Sequence, residues 1–203
     1  MKLPALDQKL AKVGLKMFSD RDFQRVAGVS KTAASFLLMR YAKRGYLRRL
    51  KRGLYAAPAR MPSRWAIANR VYSPSYVSLS SALSYYGLLP ESVYSVTSVT
   101  TKSTREFQVD ETSYRYRTLK RSAFGGYRAV EIGGDTVLLA EKEKAAADYL
   151  YFVFLKKETF NRRLDLSKID KSKLAGFLRL FGNPRLMEWL KNDLPKSDRR
   201  TAY

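Results

Sequence analysis

The sequence predicts an α+β protein: an N-terminal winged helix-turn-helix domain, then a mixed α/β domain with a small, mainly antiparallel sheet. Three observations lead to this prediction. Two short amphipathic helices separated by a glycine turn lie between Phe18 and Gly45, and a basic β-hairpin follows them directly. Beyond a proline-containing stretch, Pro58–Ser63, β-branched alternating segments are followed by further helices. The predicted domain limits are 1–58 and 63–195, with a polar tail over 196–203.

The first helix of the pair begins at a recognisable cap. Ser19 followed by Asp22 is close to a capping box, and Gly28 ends the helix at a tight turn. Ahead of it, the spacing of apolar residues predicts a helix over Ala5–Val13. The segment Leu15–Phe18 is predicted to form a short strand that pairs with the wing.

The second helix is predicted to begin after Ser30 and to run to about Arg44. Its apolar residues recur at helical spacing and are expected to pack inward: Ala34, Leu37, Leu38 and Tyr41. The positions left facing outward near its start are our candidates for reading base edges: Lys31, Thr32, Ser35 and Phe36. Of these, Phe36 suits contact with a thymine methyl group.

The hairpin is predicted from two strands, Tyr46–Leu50 and Leu54–Ala57, joined by the basic loop Lys51–Gly53. In a winged helix-turn-helix protein the second helix enters the major groove, and we expect the wing to lie along the phosphates. The candidate phosphate-binding residues are Ser30, Arg40, Lys43, Arg44, Arg48, Arg49, Lys51 and Arg52.

The charge distribution agrees with this interpretation. The 203 residues have a formal net charge of +21, and between Phe23 and Pro90 there are twelve Lys or Arg and no Asp or Glu. A basic stretch free of carboxylates is typical of a protein that binds a polyanion. The alternatives are a solvated basic surface, or a helix-turn-helix used only for protein contacts.

The absent residue types exclude several function classes. With no Cys and no His, thiolate metal sites, zinc fingers, cysteine nucleophiles and Ser-His-Asp hydrolases are ruled out. We predict no catalytic residues, no metal and no cofactor. The N-terminus lacks the apolar core of a signal peptide, and the longest apolar run, Tyr149–Leu155, is too short to span a membrane. A cytoplasmic protein without membrane contact is expected.

The second domain is predicted to alternate helices and strands. The predicted helices are Arg64–Tyr72, Ser78–Tyr86 with Ser78 as its cap, Glu141–Leu155, Leu174–Phe181 and Pro184–Leu194. The predicted strands are Tyr94–Thr101, Phe107–Val109, Tyr114–Leu119, Tyr127–Ile132 and Thr136–Leu139. Because glycine pairs separate several strands, we expect an antiparallel sheet with mostly local pairing.

Two groups of polar residues in this domain invite functional interpretations. Asp135, Glu141 and Glu143 lie near lysines, as in metal-dependent nucleases, but the spacing that such sites need is absent, so a charged helix start is favoured. Two tyrosine pairs, Tyr85–Tyr86 and Tyr114 with Tyr116, could stack on bases but better fit packing in a small sheet. The alternating residues Arg115 and Arg117 leave open a basic sheet face that touches nucleic acid or an acidic protein surface.

Motifs of the second domain resemble those of the AbiEi family of antitoxins. The segment Ser78–Leu88 is similar to the family's serine-alanine-leucine…glycine-leucine helix. The segment Val137–Leu150 is similar to its alanine-x-x-glutamate-lysine-alanine-x-x-aspartate pattern, and the wing end Arg52–Tyr55 also fits. In this sequence the pattern residues are Ala140, Glu143, Lys144, Ala145 and Asp148. The resemblance spans about residues 15–155.

This resemblance implies a role in a type IV toxin–antitoxin, or abortive-infection, system of bacteria or archaea. In such proteins the N-terminal winged domain represses its own operon by binding operator repeats in double-stranded DNA. The C-terminal domain supports neutralisation of a nucleotidyltransferase-like toxin, without requiring a stable complex. The alternative is a winged-helix regulator whose C-terminal domain senses a ligand or dimerises and has no toxin partner. An enzyme acting on nucleic acid is supported only by the carboxylates and the basic surface.

Overall fold

The computed structural model describes residues 8–9, 12–90 and 94–192. The chain divides into two compact units, Met1–Ile67 and Ala68–Tyr203. Helices and sheets of both units confirm the predicted α+β class. Most of the helix predicted over Ala5–Val13 lies outside the described residues, as does the predicted tail over 196–203. The domain limits 1–58 and 63–195 stay predictions.

The N-terminal unit is a helix pair packed on a three-stranded sheet. Its elements are β1 (Met17–Ser19), α1 (Asp20–Ala27), α2 (Lys31–Lys43), β2 (Arg48–Lys51), β3 (Leu54–Ala56), a short 3-10 turn (Pro58–Arg60) and the start of α3 (Arg64–Val71). The sheet has the order β1-β3-β2, and both pairings are antiparallel. The predicted pairing of a short strand with the wing is therefore confirmed.

Local signals explain the path of this unit. The Ser19 hydroxyl accepts a bond from the Asp22 N–H at 3.2 Å, and the Asp22 carboxylate accepts one from the Ser19 N–H at 2.9 Å, which completes the capping box. Gly28 ends α1 with φ +66°, a left-handed conformation that glycine adopts without strain. Phe18, Phe23 and Leu38, each with no exposed surface, form the core between the helices and β1.

The second unit is built on a six-stranded sheet. Its elements are β4 (Ser75–Val77), α4 (Leu79–Tyr85), β5 (Val96–Thr100), β6 (Arg105–Val109), β7 (Thr112–Thr118), β8 (Tyr127–Ile132), β9 (Asp135–Ala140), α5 (Lys142–Phe154), α6 (Lys171–Arg179) and α7 (Pro184–Asn192). The strand order is β6-β7-β5-β4-β9-β8. Helices α4 and α5 pack together and enclose a core rich in alanine and leucine.

The sheet is mainly antiparallel, as predicted, but its pairing is less local than we expected. Three pairings are antiparallel, but β4 pairs with β9, and β5 with β7, in parallel. The difference arises at β4, which the sequence did not reveal. This strand has only three residues, all buried, so it shows no alternation of apolar and polar positions. Because β4 lies between β5 and β9, it joins segments that are distant in sequence.

The prediction that the Ser78 side chain caps α4 is wrong. Ser78 occupies the N-cap position, but its hydroxyl makes no capping bond and instead donates to Asp148 Oδ2 at 2.8 Å. A first-turn N–H, that of Ser81, donates to the hydroxyl of Thr97 on β5 at 3.0 Å. A side chain from the sheet thus replaces the local cap.

The charged start predicted for α5 is largely buried. Glu143 lies in the first turn of α5, which confirms the charged helix start, but it is only 7% exposed and Lys144 has no exposed surface. Tyr114 and Tyr116 are both 1% exposed, which confirms the packing interpretation over base stacking. Their neighbour Arg117 forms an ion pair with Glu158 at 2.7 Å.

Candidate nucleic-acid interface

Helix α2 has a clear inner and outer face. Ala34, Leu38 and Tyr41 are buried against α1 and β1, because they recur at the spacing that keeps one helix face turned to the core. The outer face carries exposed side chains along the whole helix. These are all the predicted base-reading residues and three of the predicted phosphate-binding ones: Lys31, Thr32, Ser35, Phe36, Arg40, Lys43 and Arg44, the last at the C-cap.

The N-terminus of α2 is suited to an anion. The Ser30 hydroxyl accepts a bond from the Ala33 N–H at 3.3 Å and caps the helix. A hydroxyl that accepts one bond still has its own hydrogen to donate, so this contact is compatible with the predicted bond to phosphate. The first turn contains no acidic residue, which leaves the positive end of the helix dipole uncompensated by a carboxylate of its own turn.

The wing is a tighter hairpin than predicted. Lys51 belongs to β2 and pairs with Leu54, so the connecting turn is Arg52–Gly53 rather than Lys51–Gly53. Gly53 has φ +74°, a left-handed conformation that other residues adopt only with strain. Arg48, Arg49 and Arg52 are exposed, and Lys51 is half-buried.

The wing is anchored to the same core as α2. Leu50, between the exposed arginines and Lys51, is 3% exposed, and the Tyr55 ring on β3 stacks on Phe18 with 6.4 Å between ring centroids. Because Phe18 also contacts Phe23 of α1, the hairpin and the helices share one set of apolar contacts. The structure therefore fixes the wing relative to α2.

The carboxylates in the described part of this unit lie at the start of α1. Asp22 is held by the Ser19 N–H and pairs with Arg25 at 3.2 Å. Asp20 lies near the wing: together with burial it raises the pKa of Tyr55, while Arg49 lowers that pKa. Helix α2 and the wing contain no carboxylate at all. The electrostatic field over the outer face of α2 is consequently that of its lysines and arginines.

The sequence reasoning missed one prominent residue of this surface. Met39 is 61% exposed and lies on the outer face of α2 one turn beyond Ser35 and Phe36. Methionine is ordinarily read as a core residue, so we did not consider it. Helical periodicity alone could have found it, because Met39 follows Thr32 by seven positions, or about two turns.

Comparison with known proteins agrees with this geometry. Residues 6–58 match the model of a family described as "Transcriptional regulator, AbiEi antitoxin". This part of the chain is similar to the AbiEi antitoxin family. The match confirms the resemblance for the winged part of the chain and supports a regulator or antitoxin role. The second-unit motifs, Ser78–Leu88 and Val137–Leu150, lie outside the matched residues of this AbiEi family model.

Three further findings concern the chain. No curated protein matches it. In the portion of the chain that the structure describes, no helix is long and apolar enough to cross a membrane. Over the same residues there is no group of three or more Asp or Glu side chains placed to hold a metal ion.

Proposed function

We propose that the protein is a DNA-binding autorepressor and the antitoxin of a type IV toxin–antitoxin, or abortive-infection, system. The observation that carries this proposal is the outer face of α2, which is basic, free of carboxylates and fixed beside a basic wing by a shared core. The family of the N-terminal domain, a transcriptional regulator and antitoxin, supports the same role. The protein would act in the cytoplasm on its own operator repeats.

In the proposed complex α2 lies in the major groove of double-stranded DNA. Lys31, Thr32 and Ser35 read base edges through hydrogen bonds, and Phe36 meets a thymine methyl. Phosphates are held by Ser30 at the helix start, by Arg40, Lys43 and Arg44 along α2, and by Arg48, Arg49, Lys51 and Arg52 on the wing. No catalytic step, metal or cofactor is needed for this role.

The second unit would support neutralisation of a nucleotidyltransferase-like toxin, without a stable complex with it. This part of the proposal rests on the similarity of its two motifs to those of AbiEi antitoxins. A second candidate is a winged-helix regulator whose second unit senses a ligand or dimerises. What favours that candidate is that the family match ends at residue 58, before the second unit begins.

Binding of the purified protein to the DNA upstream of its own gene tests the repressor role. We expect salt-dependent binding and a footprint that covers one or two repeats. Equal affinity for that DNA and for a shuffled duplex would contradict autorepression. Co-expression with the neighbouring reading frame tests the antitoxin role: growth arrest that this chain relieves supports it, and no toxicity from any neighbour favours the plain regulator.

A further inference from the structure

Two large apolar side chains lie together on the outer face of α2. Phe36 is 63% exposed and Met39 is 61% exposed. They are three positions apart, so their side chains are neighbours on the helix surface. Exposed apolar side chains grouped on one face commonly mark a surface that meets a partner. We call Phe36 and Met39 the apolar pair.

The apolar pair lies in the middle of the surface that would face DNA. With about 100° between successive residues of an α-helix, the directions of Thr32, Phe36 and Met39 fall within about 60° of one another. Lys43 lies within the same arc, and Ser35 and Arg40 each lie about 40° beyond one of its edges. The pair is therefore surrounded by the cations and hydroxyls of α2, rather than placed on a separate face.

Charge identifies the occupant of this surface. Arg40 and Lys43 lie beside the apolar pair, and neither α2 nor the wing contains a carboxylate that could balance their charges. A polyanion suits such a surface better than a protein of mixed charge. Within the major groove of duplex DNA, the apolar group that a side chain can contact is the C5 methyl of thymine.

We propose that Phe36 and Met39 together read thymine methyl groups, and so select sites with thymines in the part of the groove that α2 occupies. Side chains three positions apart on a helix are about 5–6 Å apart at Cβ, and base pairs are stacked about 3.4 Å apart along each strand. The two thymines therefore lie one or two base pairs apart. This inference rests on the proposed function, because it requires α2 to enter the groove.

Removing the methyl groups from the DNA tests the proposal directly. The region upstream of the gene is amplified once with dTTP and once with dUTP, since deoxyuridine differs from thymidine only by lacking the C5 methyl. We expect the wild-type protein to bind the thymine probe more tightly, by about fourfold for each methyl group that the pair buries. The Phe36→Ala/Met39→Ala variant should bind both probes with equal affinity, because it lacks the side chains that contact the methyl groups. It should still fold, because both substituted positions are exposed.

Lys43→Ala provides the matched control on the same helix face. It should weaken binding to both probes and leave their affinity ratio unchanged, because Lys43 is assigned to phosphate. Circular dichroism of each variant verifies that α2 and the wing still fold.

Each other outcome has a separate meaning. If wild-type protein prefers the upstream DNA over a shuffled duplex but binds thymine and uracil probes equally, methyl reading is overturned and the proposed function stands. Binding with neither sequence preference nor salt dependence overturns the proposed function itself. Should the apolar-pair variant change oligomeric state in light scattering while retaining the thymine preference, the pair is a protein contact and the inference is overturned.

Discussion

Lys144 Nζ donates a hydrogen bond to Asp148 Oδ1 one helical turn further along α5, and both side chains are wholly enclosed. The other carboxylate oxygen, Oδ2, accepts bonds from the Tyr76 hydroxyl at 3.1 Å and the Ser78 hydroxyl at 2.8 Å. Burial raises the pKa of Asp148 above its ordinary value of 3.8, although all three partners act to lower it. One carboxylate thus joins α5, β4 and the residue that precedes α4.

Removing one member of this pair should strongly destabilise the second unit. Lys144→Met leaves the Asp148 charge buried without its counter-ion, and we expect the free energy of unfolding to fall by about 3–5 kcal/mol. Urea denaturation of the full chain measures the change. The double variant Lys144→Met/Asp148→Asn should recover part of the loss, because no unpaired charge remains; a loss equal to the sum of both single substitutions would contradict the coupling.

Acid should reduce the defect of Lys144→Met. The pKa of Asp148 is higher in the folded chain than its ordinary 3.8, so over the range between these two values the folded chain binds more protons than the unfolded chain. Lower pH therefore favours the folded state of this variant relative to the unfolded one. Urea unfolding near pH 7 and near pH 4, with the exposed-site variant Lys171→Met as control, measures this effect.

The wing arginines should contribute affinity without sequence preference. Arg49→Ala/Arg52→Ala removes two cations assigned to phosphates, so binding should weaken by a similar factor for upstream and shuffled DNA. The slope of log affinity against log salt should become shallower by about 0.9 for each lost contact. Fluorescence anisotropy titrations at several salt concentrations measure both quantities. The control is Lys171→Ala/Lys173→Ala, which removes the same charge from exposed positions of α6. An unchanged affinity of the wing variant would show that the wing does not touch DNA.

Thr32 should affect specificity more than affinity. Thr32→Ala removes a hydroxyl from the outer face of α2 but no charge, so affinity for shuffled DNA should change little. Affinity for the upstream DNA should fall, which lowers the ratio between the two. Competition binding with both duplexes measures that ratio. If affinity for shuffled DNA falls by the same factor as affinity for the upstream DNA, bases are read by another part of the protein.

The turn of the wing should not tolerate a side chain. Gly53 has φ +74°, and we expect Gly53→Ala to reduce stability by about 1 kcal/mol and to weaken DNA binding, because the strained turn misplaces the wing. Urea unfolding and anisotropy titration measure the two effects. Gly125→Ala is the matched control, since Gly125 lies outside the left-handed region and an added Cβ there would meet nothing within 4 Å. Equal behaviour of both variants would contradict a role for the turn conformation.

The N-terminal unit was largely predictable because its signals are local. The Ser19 cap, the Gly28 turn and the inward spacing of Ala34, Leu38 and Tyr41 each depend on residues close in sequence. The exposure of the candidate base-reading residues follows from the same spacing. Contact between these residues and bases can be observed only in a complex with DNA, so their roles stay predictions.

The second unit was less predictable because its polar residues bond to distant segments. Ser78 lies 70 positions from Asp148, and the N–H that it was expected to cap finds Thr97 instead. Lys144 was correctly placed in a charged helix start, but its burial beneath the rings of Tyr76 and Phe181 depends on residues that are distant in sequence. All five residues of the motif that resembles the AbiEi pattern are thus buried: Ala140, Glu143, Lys144, Ala145 and Asp148. Residues for the proposed toxin neutralisation should accordingly be sought among exposed side chains.

The strand β3 pairs with β1 as well as with β2, so the hairpin cannot swing away from the helix pair without breaking the hydrogen bonds between β3 and β1. Helix α2 and the wing therefore need little ordering when they bind DNA, and association should carry a small conformational entropy penalty. Calorimetry would then show only the modest heat-capacity change of rigid docking, rather than the large negative one that accompanies coupled folding.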